Sequence, residues 1–159
     1  MNITKNQNEG MTSAPLPIVV SYAGGKQIVT INLNVEKQTD TEARTTATQE
    51  VETGTYQCTT LSFTHDGRMT AADVVKQIVK ADLFNSVNKD FLKRLVEVFA
   101  IPDYDTLAAI LVSGKYTYPE ELSCHRKALL GNKQPLEELN AYVEQCKALA
   151  VQVLPKDGE

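Results

Sequence analysis

Apolar residues alternate with polar ones between Leu16 and Val35, on both sides of a Gly24-Gly25 pair. Two glycines between alternating segments are typical of a β-hairpin, and a two-residue turn sets which residues of its strands face each other. Counting outward from the turn predicts the pairs Tyr22 with Gln27, Val20 with Val29, Ile18 with Ile31 and Leu16 with Leu33. This register places most large apolar residues on one face. Because Val19 and Ile28 fall on the other face, we expect part of that face to be covered too, for example by a neighbouring subunit.

A further strand is predicted from Tyr56 to Thr64, with Leu61 and Phe63 on one face. In a regular strand, Tyr56 and Cys58 would lie on the opposite face. This change of face predicts a β-bulge near Thr59-Thr60.

Two segments lack an apolar pattern. Residues 1–13 are polar and are expected to form a tail. Residues 36–55 are rich in Thr and Glu and contain no apolar residue larger than Val51, which is too little to build a core. Long segments of this kind are commonly functional or disordered, so residues 36–55 are expected to be either a solvated loop or an arm that pairs with another chain.

From residue 70 onward, apolar residues recur at the three- and four-residue steps of helices. Thr70 and Asp73 form an approximate capping box for a first helix, which we expect to fray near Asn85-Ser86. A second helix is predicted from about Asn88 to Ala100.

Two short helices joined by a tight corner follow. Pro102 ends the preceding helix, and the Asp103 carboxylate can cap the next one. Ser113-Gly114 is expected to end that helix with a left-handed cap. Pro119 opens the second short helix, which Gly131 closes.

The last predicted helix, from Pro135 to Leu154, has the most regular apolar periodicity in the chain. Its stripe comprises Leu136, Leu139, Tyr142, Val143, Cys146, Leu149, Ala150 and Val153. Such a stripe either closes the core over the two short helices or meets a second copy of itself.

These elements predict an α+β fold, in which a small antiparallel sheet, made of the hairpin 16–35 and the strand 56–64, precedes a bundle of four to five helices. Residues 14–159 are expected to form a single domain, with a β-rich part over 14–66, a helical part over 70–154 and the loop or arm at 36–55. At 159 residues, the chain has the usual length of one domain.

The charge of the chain is modest and evenly spread. The net charge is −4, and residues 1–70 and 71–159 each contribute −2. Nucleic acid is therefore not an expected partner, since its binding proteins usually carry a basic surface. No apolar run reaches the ~20 residues of a membrane span, and the N-terminal segment does not resemble a signal peptide, so neither a membrane nor signal-dependent secretion is expected.

Candidate catalytic residues are few. Cys58, Cys124 and Cys146 are odd in number and widely spaced, so they are expected to be free, mostly buried thiols. His65-Asp66 lies in a predicted turn, and the neighbouring Cys124-His125 pair would point about 100° apart on a helix. We therefore expect no enzyme activity and no catalytic, metal, cofactor or small-molecule site.

A helix-turn-helix is the other interpretation of the two short helices, because Arg126, Lys127 and Lys133 lie on or near the second one. The acidic start of that helix and the negative charge of the chain argue against DNA binding.

Residues 102–154 contain, in this order, a Tyr-containing start, an apolar helix, a Lys-Tyr corner, a second helix and a Glu-rich last helix. The matching residues are Tyr104, Leu107, Ile110, Leu111, Lys115, Tyr116, Glu120, Leu122, Leu129, Leu130 and Leu136 through Ala150. In this third of its length the chain resembles small uncharacterised proteins of phages and prophages of Bacteroidales. The resemblance implies a virion or virion-assembly component, located in the virion or the host cytoplasm, with no catalytic residues to transfer.

The leading hypothesis is a non-enzymatic structural or accessory protein of a phage-like particle that acts by protein–protein contacts and self-assembly. Its expected partners are other subunits, either further copies or virion components. The alternative is a small acidic phage-encoded regulator or inhibitor that binds a host protein through a patch including Glu137, Glu138 and Glu144. The candidate interaction residues are Val19, Tyr22, Ile28, Thr41, Thr45, Val51, Tyr116, Tyr118 and Tyr142.

Overall fold

A computed structural model describes residues 4–44 and 47–156, and the side chains of these except at 39–54. It confirms the α+β fold, with a four-stranded antiparallel sheet followed by helices. The strands are β1 (Thr4–Met11), β2 (Ile18–Ala23), β3 (Lys26–Arg44) and β4 (Ala47–Asp66). The helices are α1 (Ala71–Lys80), α2 (Lys89–Phe99), α3 (Tyr104–Ser113), α4 (Tyr118–Leu129) and α5 (Gln134–Ala150), with a 3₁₀ turn over Phe84–Ser86.

Contacts group the chain into two compact units, Met1–Arg68 and Met69–Glu159. The first unit holds the sheet and the second holds the helices. The single domain expected over residues 14–159 therefore stays a prediction.

The β2–β3 hairpin has the predicted register. Both glycines of the turn have positive φ angles, of 58° and 76°, as a two-residue primed turn requires. The pairs from Ala23–Lys26 to Ile18–Ile31 all form. The outermost predicted pair does not: β2 begins at Ile18, and Leu16 is 54% exposed whereas Leu33 is buried.

Residues 4–11 form a strand where a polar tail was expected. β1 pairs antiparallel with β4 and completes the sheet order β1-β4-β3-β2. Its side chains add polar contacts, since Gln7 Nε2 donates to Thr59 Oγ1 at 3.0 Å and Asn8 Nδ2 donates to Thr60 Oγ1 at 2.6 Å. Main-chain and amide hydrogen bonds hold this strand in the sheet. Its sequence lacks the apolar alternation from which strands are predicted, so it was not recognised as a strand.

The pairing of β3 with β4 shifts register twice, and the first shift is a bulge on β3 and not at Thr59-Thr60 of β4 as expected. Leu33 pairs with Thr59 and Glu36 with Gln57, so β3 has one residue more than β4 over this interval. Asn34 takes the left-handed conformation, with φ 52°, which asparagine adopts more readily than most residues.

The helices begin and end mostly where the sequence predicts. The Thr70–Asp73 capping box is present, and Asn88 and Asp103 cap α2 and α3 through hydrogen bonds to main-chain N–H groups three residues ahead. Gly131 closes the turn after α4 with φ 96°. The first helix is shorter than expected, because it ends at Lys80 and a separate 3₁₀ turn follows.

Gly114 has a different role from the predicted left-handed cap. Its φ and ψ, −64° and −29°, are right-handed helical values that any residue can adopt. A Cβ atom at this position would lie 3.1 Å from Val75 Cβ and closer still to one of the Val75 methyl groups. Glycine is therefore needed for the close approach of α1 to the end of α3.

The last helix closes the core of the helical unit. α5 packs against α3 and α4, and its buried residues are Leu139, Tyr142, Cys146 and Ala150. The Tyr142 hydroxyl donates to the main-chain oxygen of Leu111 at 2.9 Å. This bond satisfies a carbonyl in the last turn of α3 and supports the interpretation of α5 as an internal packing helix.

Candidate interaction surfaces

The outer edge of β2 is regular and uncharged. Asn32 N donates to Pro17 O, and hydrogen-bonded and non-hydrogen-bonded pairs alternate in an antiparallel ladder. The main-chain groups of Val20 and Tyr22 therefore point away from β3. Within residues 4–44 and 47–156, no strand pairs with this edge. Such an edge is a template for adding a strand from another chain.

The outer edge of β1 is less suited to strand addition. The β1–β4 register shifts between Asn8 and Met11, where Gly10 has φ 75°. Lys5 and Glu9 place charges along the strand. Bulges and charges are the usual means by which edge strands avoid pairing.

The expected arm at 36–55 is a two-stranded ribbon. Past Lys37 and Tyr56, β3 and β4 continue to pair with each other, from Thr39–Glu52 to Arg44–Ala47. In the described part of the chain, no third strand lies beside them. The segment is therefore a strand pair and not an irregular loop, and its pairing with another chain stays a prediction.

Two predicted interaction residues fall in this ribbon, and a third, Thr45, lies outside the described residues. The main chain of Thr41 and Val51 belongs to β3 and β4, paired with Glu50 and Asp40 respectively. The side chains of both residues also lie outside what the structure describes.

The three predicted hairpin residues do not share a face. Val19, which is 39% exposed, and the half-buried Ile28 lie on the second face of the sheet. Tyr22 lies on the first face and is 76% exposed. Its hydroxyl accepts a hydrogen bond from Gln27 Nε2 at 3.4 Å.

A buried polar cluster occupies the second face beside the bulge. Asn32 Oδ1 accepts a hydrogen bond from Thr60 Oγ1 at 2.8 Å, and Asn32 Nδ2 donates to Leu16 O at the same distance. The buried Cys58 Sγ lies 3.4 Å from Thr60 Oγ1. Because these groups satisfy one another, the cluster is best explained as part of the fold.

Two of the three predicted helical tyrosines lie inside the helical unit. Tyr142 is buried, with its ring centroid 5.7 Å from that of the half-buried Tyr116 and 5.0 Å from that of Phe84. The Lys115 ammonium lies 4.9 Å from the Tyr142 ring centroid, within the range of a cation–π contact. The buried Tyr142 is therefore not available to a partner, whereas Tyr116 keeps part of its surface exposed.

The same packing changes the acidity of the groups it encloses. Burial raises the pKa of both tyrosines and raises the pKa of the Cys146 thiol to about 11. All three cysteines are free and buried, as predicted.

An outward apolar face of α4 was missed in the sequence. Tyr118, Leu122 and Leu129 are 73%, 37% and 88% exposed, and their spacings of four and seven residues place them on one side of the helix. Leu130, at the end of the helix, is 89% exposed. Tyr118 was among the predicted interaction residues, but Leu122 and Leu129 were not, because the sequence alone does not show which side of a short helix is buried.

The candidate catalytic residues lie in different elements of the chain. His65 lies in β4, with Nδ1 3.5 Å from Gly67 O, and His125 is exposed on α4. Among the residues the structure describes, no three His, Cys, Asp or Glu side chains are grouped so as to hold a metal ion. An open cleft of about 350 Å³ is lined by residues 103–106 and Lys156. The Asp103 carboxylate there already accepts a hydrogen bond from Thr106 N, which lowers its pKa.

Comparison with known protein families, curated proteins and solved structures gives no match to this chain. In the described residues, no helix has both the length and the apolar character needed to cross a bilayer.

Proposed function

We propose that this protein is a non-enzymatic structural or accessory component of a phage-like particle and acts through protein–protein contacts and self-assembly. The observation that carries the proposal is the two-stranded ribbon made by residues 39–44 and 47–52, hereafter the arm. The resemblance of residues 102–154 to small phage proteins supplies the biological setting.

The arm has little to stabilise it by itself. An isolated two-stranded hairpin is marginally stable in water, and three or more strands with an apolar face are usually needed. The sequence of the arm is Thr-rich and charged, so it offers little apolar surface to bury. Main-chain hydrogen bonds to a strand of another subunit would stabilise both partners.

The β2 edge offers a second surface of the same kind. It provides uncharged main-chain donors and acceptors next to Val19 and Tyr22. A subunit with an arm and an open edge has both parts that strand addition needs, which favours assembly over the binding of a small ligand.

Sedimentation of the full chain at micromolar concentration tests this proposal. The comparison is a variant in which an Asn-Gly turn replaces residues 38–55, so that Lys37 and Tyr56, which already pair, flank a two-residue hairpin turn. We expect assemblies from the full chain and smaller species from the variant. Helical circular dichroism and a thermal melt serve as the folding control, since this change leaves the helices intact.

A monomer that the arm replacement does not change would contradict the proposal. Absence of the protein from purified particles of its source would contradict the particle assignment and favour the acidic regulator instead.

A further inference from the structure

The outward face of α4 holds exposed apolar side chains on a helix whose charges are divided between its two halves. Glu120 and Glu121 lie in the first turn, and Arg126 and Lys127 lie in the last. Tyr118 lies at the acidic end of the apolar face and Leu129 at the basic end. The buried Cys124 marks the side that packs inside the helical unit.

Because its two halves carry opposite charges, α4 is electrostatically complementary to a second copy of itself that runs in the opposite direction. If two copies of α4 lie antiparallel about a two-fold axis near Ser123-Cys124, Tyr118 lies opposite Leu129 of the other copy and Leu122 lies opposite His125. The acidic half of each helix then lies alongside the basic half of the other, and the two helix dipoles are antiparallel.

We propose that the outward face of α4 is a dimer contact, in which it packs antiparallel against the same helix of a second copy. This contact goes beyond the proposed function because it uses neither the arm nor the β2 edge. A subunit with both contacts could extend an assembly in two directions.

The charge pattern selects this occupant over others. An anionic membrane surface or an acidic peptide would be attracted by Arg126 and Lys127 but repelled by Glu120 and Glu121 at the other end. A basic partner would be attracted by Glu120 and Glu121 but repelled by Arg126 and Lys127. A second copy of α4, lying antiparallel, matches both ends at once.

The contact is small, because it involves one helix from each copy. Interfaces below about 1,200 Å² of total buried surface are typical of weak, transient association. We therefore expect a reversible dimer with a Kd on the order of 100 μM, detected by its concentration dependence.

A charge exchange tests the contact. Glu121→Lys leaves the first turn of α4 without net charge and the last turn basic, and Arg126→Glu leaves the last turn without net charge and the first turn acidic. Each variant alone is expected to dimerise about tenfold more weakly than the natural chain, because the charged turn of each helix then faces a turn without net charge. In an equimolar mixture the basic last turn of the first variant faces the acidic first turn of the second, so the two are expected to form a heterodimer that is tighter than the dimer of either variant alone.

The apolar residues supply a matched pair of variants. Leu129→Ser is expected to weaken the dimer because it removes an apolar side chain from the contact face. Leu130→Ser removes an equally exposed leucine that points about 100° away on the helix, so it should leave the Kd unchanged.

All variants are compared by sedimentation equilibrium, both in the full chain and in the chain with the Asn-Gly replacement of its arm. The proposal is overturned if the arm-replaced chain is monomeric at 500 μM, a concentration on the order of five times the expected Kd. It is also overturned if the mixture associates no more tightly than either variant alone. Loss of the α4 contact with arm-dependent assembly retained would reject this inference and leave the proposed function standing.

Discussion

Individual buried groups are matched to partners in both units. Asn32, Thr60 and Cys58 satisfy one another on the sheet, and the Tyr142 hydroxyl satisfies a helix-end carbonyl. Unsatisfied buried polar groups are costly, so such matching stabilises a unique packing. It also accounts for these four residues without assigning them a catalytic role.

The Cys146 thiol should make stability depend on pH in alkaline solution. Its pKa is raised from an ordinary value of 9.0 to about 11 by burial. Between these values the unfolded chain releases the thiol proton while the folded chain retains it. The unfolded state then binds fewer protons, so the free energy of unfolding falls as the pH rises through this window.

Urea unfolding at several pH values between about 8 and 11 measures this effect across the shifted pKa. The natural chain should lose stability with pH more steeply than Cys146→Ala, which lacks the thiol. Equal slopes for the two proteins would show that this thiol is not held protonated by the fold. The dependence of stability on pH is compared, and not the stability at one pH, because Cys146→Ala also leaves a small cavity that lowers stability at every pH.

At the scale of the elements, the helices are placed by close contacts as much as by their own periodicity. Gly114→Ala should lower the free energy of unfolding by about 1–3 kcal/mol, the usual cost of an extra methyl group in a well-packed site. The new methyl group would clash with Val75, although alanine suits the backbone angles of this position.

Urea denaturation measures the change, with Ser113→Ala as the control. Ser113 is exposed and precedes Gly114 in the chain, so its substitution should change stability by less than about 0.5 kcal/mol. An unchanged or increased stability of Gly114→Ala would mean that α1 and α3 do not approach so closely.

Elements marked by local signals could be predicted from the sequence. The Gly24-Gly25 turn set the hairpin register, and the Thr70 and Asp103 caps set helix starts, because the residues responsible are neighbours in the chain. β1 could not be predicted, because a polar edge strand is defined by its partner. The role of Gly114 was missed for a similar reason, since Val75 lies far away in the sequence.

The candidate site was less predictable than the fold. Tyr142 was proposed for a partner surface because aromatic residues are common in interfaces, but the structure buries it. Tyr118, proposed for the same role, is 73% exposed, whereas Leu122 and Leu129 were not proposed as interaction residues. Which face of a helix is buried depends on the neighbouring helices, and the sequence does not state their arrangement.

The whole molecule is proposed to act through its surfaces. The arm and the β2 edge would add strands between subunits, and α4 would join helical units. The division of the chain into a sheet unit and a helical unit gives each kind of contact its own compact support.

Hydrogen exchange of the arm amides tests directly whether the arm pairs with a strand of another subunit. Exchange is measured for residues 39–44 and 47–52 at dilutions where the protein is dissociated and at concentrations where it is assembled, with the amides of α2 as an internal reference. We expect the arm amides to become markedly more protected from exchange on assembly, whereas the protection of the α2 amides should not change. Equal exchange of the arm amides under both conditions, in a protein that sediments as an assembly, would contradict strand addition as its means of action.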